Sequence, residues 1–229
     1  MKEYRGSAAS VRERFALVRR RVDETAAAAG RSGAQVEILV ATKYVDVEGM
    51  RTLADAGVVL VGENRAQDLV AKHERYGEAF VWDFIGHLQS RKTKLVLPLV
   101  RLIHSVDSLS VVKELQARSA NTTRVLLEVN IGGEESKSGV PPERLDAFLE
   151  EATAYDRVEF AGLMCMPPLG ADPSSSAPYF SRTRELAERL SAAWRGRYTF
   201  AELSMGTSVD YDVAVREGAT IVRVGSVLF

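Results

Sequence analysis

A chain of 229 residues, 46% hydrophobic and 27% charged with a formal net charge of -1, can bury a full core; it lacks the polarity of a disordered chain and the basic excess of a nucleic-acid binder. The single cysteine, Cys165, excludes an internal disulfide, and the three histidines, His73, His87 and His104, fall at no zinc-like spacing. The N-terminus, MKEYRGSAASVRERF, is charged throughout with no apolar core of a signal peptide, and no apolar run is long enough to span a bilayer, so the expected compartment is the cytoplasm.

In chain order, residues 8–29 read as a helix closed by Gly30, a suitable C-cap. A first strand comes next at 36–42, with Lys43 at its end, then a helix at 47–56, a strand at 58–62 and a helix at 63–76. The pattern repeats with strands at 82–85, 102–105, 125–130 and 160–164 and helices at 91–98, 109–119, 142–154 and 178–194. In the helix at 109–119, Leu109, Val112 and Leu115 fall on one face. Pro141 and Pro142 suit a first helical turn, and the polar stretches 134–139 and 167–176 read as loops after strands. The last pair of strands is Glu202–Ser204 and Ile221–Val224, joined by a helix at 209–217 that Ser208 can cap. Strands alternating with helices predict a parallel sheet, and eight such repeats fit a closed α/β barrel of the (β/α)8 type, one domain over residues 1–229 with an extra N-terminal helix.

Active sites of such barrels lie at the C-terminal ends of the strands. Lys43 is there, its alkyl stem expected among interior side chains, where desolvation would lower its pKa and free the amine as a nucleophile or Schiff-base former; a lysine snorkelling to solvent is the competing reading. The stretches LSMGTSVDYD and VRVGSVLF carry the ends of strands seven and eight and the loops after them, where barrels often bind phosphate on backbone N–H groups. Ser204, Gly206, Thr207, Gly225 and Ser226 have the chemistry for it, although two ordinary turns would also use such residues. Arg223 interrupts an apolar strand and needs a partner, either a ligand or a buried carboxylate such as Glu128 or Glu202. A reactive lysine, a phosphate cradle and a buried arginine on one rim suggest a ligand with both an aldehyde and a phosphate, such as pyridoxal 5'-phosphate (PLP).

The stretches VATK, VGENRAQD, WDFIGHLQSRK, IHSVDS, VNIGGEESKSG, GLMCMPP, LSMGTSVDYDVAV and VRVGSVLF, in this order, resemble the pyridoxal phosphate homeostasis proteins, short relatives of the alanine racemase barrel. The resemblance runs from about residue 36 to 229. It implies a PLP cofactor held as a Schiff base on Lys43, phosphate contacts from Ser204, Gly206, Thr207, Gly225 and Ser226, and Arg223 facing the pyridine nitrogen. Asn64, Ile85 and His87 would line the pocket. Thr207 and Val209 stand where many family members have Met and Asp, which favours backbone over side-chain phosphate contact at Thr207.

An arginine beside the pyridine nitrogen cannot accept a proton, so the ring is a weaker electron sink than one paired with an aspartate. Racemases of this barrel add a second domain bearing a tyrosine, and this chain stops after strand eight. The leading expectation is therefore a PLP carrier of vitamin B6 homeostasis that supplies apo PLP-dependent enzymes, without efficient catalysis and as a monomer. An amino-acid racemase using Lys43 with His87 or Tyr44, and a cofactor-free Schiff-base aldolase acting on a sugar phosphate, are the alternatives.

Overall fold

The computed structural model describes residues 6–134, 137–168 and 172–229. Eight parallel strands close into a barrel in sequential order: β1 (Glu37–Ala41), β2 (Leu60–Glu63), β3 (Val81–Phe84), β4 (Leu102–Val106), β5 (Thr123–Val129), β6 (Val158–Cys165), β7 (Glu202–Ser204) and β8 (Ile221–Val224). Helix α1 (Ala8–Ala28) precedes them, and α2 (Met50–Asp55), α3 (Ala66–Tyr76), α4 (Thr93–Val96), α5 (Leu109–Arg118), α6 (Leu145–Ala152), α7 (Ala177–Ala193) and α8 (Tyr211–Arg216) fill the connections. This is the (β/α)8 barrel with an extra N-terminal helix that the alternation predicts. The stretches 134–139 and 167–176 fall partly outside the described residues.

Side chains of a strand alternate between its faces, so each strand serves two cores. Leu39, Leu102, Leu126, Ala161, Met164 and Ile221 pack together inside the barrel, while Val40, Val61, Ile103, Val125, Leu163 and Val222 belong to the larger core shared with the helices. That double burial is why the strands read as nearly continuous apolar runs. Among the exceptions, Asp83, His104, Ser204 and Arg223 are buried at inward positions of β3, β4, β7 and β8.

The seam closes where residues 37–40 of β1 pair with residues 221–224 of β8. Helix α1 packs on α2 and α8 through its buried Val11, Val18 and Val22. Ser7 caps it by accepting from the Ser10 N–H, and Gly30, at φ 71°, takes the left-handed turn that ends it.

Two sequence expectations are corrected. The helix expected from residue 63 starts at Ala66, and Glu63 is instead the last residue of β2. Ser208 does not cap α8; its Oγ accepts from the N–H groups of Gly225 and Val227, tying the loop after β7 to the loop after β8.

Candidate functional site

A cleft of about 350 Å³ opens at the C-terminal ends of the strands. Its wall is built from strand-end loops: Lys43 and Tyr44 after β1, Asn64 after β2, Ile85 to His87 after β3, Thr207 to Val209 after β7, and Gly225 and Ser226 after β8, with Glu128, Met164 and Arg223 reaching it from within. Of the residues singled out from sequence, Lys43, Asn64, Thr207, Arg223, Gly225 and Ser226 line this cleft together. Ser204 and Gly206 lie behind it. A broader groove of about 660 Å³ at the opposite end, near Thr123, has no comparable cluster.

Lys43 differs from its expected setting. The inward position at the end of β1 is Ala41, and Lys43, two residues on, is exposed at the cleft, its Nζ 4.9 Å from the centre of the Tyr44 ring. The amine is accessible to a ligand rather than enclosed among interior side chains. Asn64 presents a buried Oδ1 that no group among the described residues satisfies, a cost unless a ligand donor meets it. Gly86 makes this wall possible, since a Cβ there would lie 2.0 Å from the Asn64 carbonyl oxygen.

Arg223 is 6% exposed, and of the two partners weighed for it, a ligand or a buried carboxylate, it makes no ion pair with Glu128 or Glu202. Nη1 donates to the carbonyl and the Oγ of Ser204, both at 2.6 Å; Nη2 donates to the Cys165 carbonyl at 3.0 Å and to Met166 Sδ at 2.9 Å. Glu202 accepts instead from Thr220 Oγ1 and pairs with Arg124. With both Nη groups held by the barrel, Nε–H is the remaining donor of the guanidinium, without a partner among the described residues.

Behind Arg223 the polar chain continues. His104 Nδ1 lies 2.8 Å from Ser204 Oγ, its Nε2 lies 3.1 Å from Asp83 Oδ2, and Arg101 bridges Asp83 to Glu37. Burial alone would raise the Asp83 pKa, but hydrogen bonds and charge from His104 and Arg101 prevail and hold it below the usual carboxylate range. Burial holds His104 below its ordinary pKa, with Arg223 and Arg101 adding to the effect against Asp83. A neutral His104 facing an ionised Asp83 must donate from Nε2, so Nδ1 accepts from the Ser204 hydroxyl and the Ser204 oxygen accepts from Arg223. Asp83, His104 and Ser204 have the composition of a hydrolytic triad, but all three are 0% exposed, so they orient Arg223 instead of meeting a substrate.

Thr207 departs from a simple phosphate cradle, because its N–H and Oγ1 both donate to Asp210 Oδ1, at 2.7 and 2.9 Å. The Gly225 N–H is taken by Ser208. The N–H groups of Ser208 and Ser226 are among the rim donors without a hydrogen-bond partner in the described residues. Glu128, one of the two carboxylates weighed as a partner for Arg223, forms no ion pair with it, and burial with the nearby charge of Asp107 pushes its carboxyl up to about 7 against the pull of Arg223. Cys165, fully buried, has its thiol pushed up to about 11 by desolvation, as befits a core residue.

A closed parallel barrel with a lysine after β1 and an arginine on β8 at the same cleft has the architecture of the alanine racemase barrel, and the family model described as "Alanine racemase, N-terminal domain" matches residues 19–229. The chain is 39% identical over 221 residues to the "Pyridoxal phosphate homeostasis protein" of Aquifex aeolicus (strain VF5), covering 95% of this chain and 96% of that one. It therefore belongs to the pyridoxal phosphate homeostasis protein family, the short branch of that barrel group. Among solved structures, PipY of Synechococcus elongatus PCC7942 with PLP bound superposes with a TM-score of 0.82 at 29% identity over 96% of this chain and 99% of that one. Alanine racemase from Corynebacterium glutamicum shares the fold alone, with a TM-score of 0.70 at 12% identity over 97% of this chain and 60% of that one.

Proposed function

We propose that the chain is a PLP-binding protein of vitamin B6 homeostasis that holds the cofactor as a Schiff base on Lys43 and passes it to apo PLP-dependent enzymes in the cytoplasm, acting as a monomer without efficient catalysis of its own. The observation that carries this reading is the clamped Arg223, whose one open donor, Nε–H, belongs to a group that offers a hydrogen bond but cannot accept a proton. The rest of the cleft fits the cofactor. The N–H groups of Ser208 and Ser226 suit a phosphate, the Asn64 side-chain oxygen suits a donor on the ligand, and the Lys43 amine is free to react. When bound, PLP supplies an aldehyde that a primary amine captures. Lys43 would hold the cofactor through its amine, and a link of that kind would be reversible by water, as a carrier requires. A ring nitrogen facing Arg223 would accept from a donor that is already cationic and cannot take up a proton, so it would stay unprotonated and carbanion chemistry would be disfavoured.

The test is transfer. Protein loaded with PLP and separated from free ligand is expected to restore activity to an apo PLP enzyme, with a rate set by release from the carrier; no restoration would overturn the delivery role.

Glu128 favours a second reading, an amino-acid racemase of the alanine racemase type, since a carboxyl that titrates near 7 beside the Lys43 cleft is a candidate second acid/base. Detectable inversion of an amino acid, lost in Lys43→Ala, would establish it. Glu128 also gives a pH prediction for the carrier. Above about 7 it gains a negative charge in the cleft, facing Asp107 and Arg223, and opposes an anionic ligand. Glu128→Gln removes that charge. PLP affinity of the two proteins is expected to match at pH 6, and wild type to bind about threefold more weakly than the variant at pH 8, measured by equilibrium titration.

A further inference from the structure

Thr42, the residue before Lys43, is fully buried with every polar group engaged. Its N–H donates to the Gly62 carbonyl at 3.0 Å, its Oγ1 donates to Glu63 Oε1 at 2.5 Å, and its carbonyl accepts from Lys72 Nζ at 2.8 Å. Lys72 also pairs with Glu63 Oε1, and Glu63 Oε2 accepts from the Asn64 N–H at 3.1 Å. Glu63 is 0% and Lys72 3% exposed, between β2 and α3. Neither lines the cleft.

Burying an ion pair costs about as much desolvation as its attraction returns, and well-packed apolar side chains would hold β2 to α3 at least as well. An apolar pair could not anchor the Thr42–Lys43 peptide or the Asn64 N–H. Those groups flank the cleft on two adjacent strands, and the Lys43 side chain, exposed and in contact with the Tyr44 ring, takes its direction from the backbone that carries it.

We propose that Glu63 and Lys72 are positioning residues for Lys43: the buried pair locks the strand-end peptide so that the amine meets a bound aldehyde in one geometry. The proposal rests on the reading of Lys43 as the PLP-bearing residue. A misplaced nucleophile reacts poorly even when its ligand still binds, and this separates positioning from general stability.

The test compares PLP with pyridoxamine 5'-phosphate, which keeps the ring and phosphate but carries an amine where Lys43 would need an aldehyde. Wild type, the charge-balanced double variant Glu63→Gln/Lys72→Met and the hydroxyl deletion Thr42→Val are titrated with each ligand. The double variant is expected to lose about tenfold in PLP affinity, and Thr42→Val about threefold, with pyridoxamine 5'-phosphate affinity unchanged within about twofold. Equal losses for both ligands, or unchanged PLP affinity, overturn the proposal. Should the double variant not fold, Thr42→Val decides between the same outcomes alone. Failure of the Lys43 reading shows separately, as wild type giving no borohydride-reducible absorption band with PLP.

Discussion

Lys43→Ala is expected to lose the visible absorption band that wild-type protein develops with PLP and that borohydride abolishes. PLP affinity should fall about 100-fold, the equivalent of ~2.7 kcal/mol, because the covalent link is lost while the noncovalent contacts of the ring and phosphate remain. The fold should not notice. Lys43 is exposed and its one described side-chain contact is the Tyr44 ring, so thermal unfolding is expected to stay within about 0.5 kcal/mol of wild type. The same band after the substitution would assign the aldehyde to another amine, and no band in wild type would leave an aldolase-type lysine or a solvent-facing one.

Asp83→Ala should give the largest loss of stability. Asp83 is fully buried and accepts from both Arg101 and His104; Arg101 keeps Glu37 without it, but the buried His104 N–H loses its acceptor, at a cost of about 1–3 kcal/mol in denaturant unfolding. A pH dependence arises from the same contacts. The folded pKa values of Asp83 and His104 are both depressed, so the stability they contribute is present above their unfolded values, about 3.9 and 6.5, and is lost as pH falls through the folded ones. Wild type is therefore expected to weaken below about pH 6.5, first through His104. His104→Gln, which cannot become charged, should flatten the upper part of that acid limb. An unchanged pH profile in His104→Gln would show that the imidazole is not the group responsible.

Much of the fold was legible because a barrel strand buried on both faces writes itself as an apolar run, and helices with one apolar face fill the gaps. Element ends were less so. Glu63 is a charge at the end of β2, and a charged residue before a helical pattern reads as a first turn; its pairing with Lys72, nine residues later on α3, has no local signature. At the site, the resemblance and the rim chemistry singled out residues that the fold does bring to one cleft. Ser204 reads as a rim residue because it ends strand seven beside a phosphate-type loop, but strand alternation turns it inward to Arg223. The same argument that drew notice to Arg223, a polar residue at an inward position of an apolar strand, applies to Asp83 and His104 and would have found the relay. Ser208 was hidden by a competing local role, since a serine before a helix is a good cap. The raised carboxyl of Glu128 comes from burial first and from Asp107, at another strand end, second, and could not be read from either stretch alone.

The seam between β1 and β8 bears on how the protein acquires its site. Lys43 lies just beyond one strand of that seam and Arg223 lies on the other, yet the two strands come from distant parts of the sequence, and pairings of such separation form late in folding. Ligand capture is thus a kinetic reporter of ring closure: in a refolding experiment, helical circular dichroism should return before the Lys43 absorption band does, and the interval between them measures how long the unclosed sheet waits for its last strand.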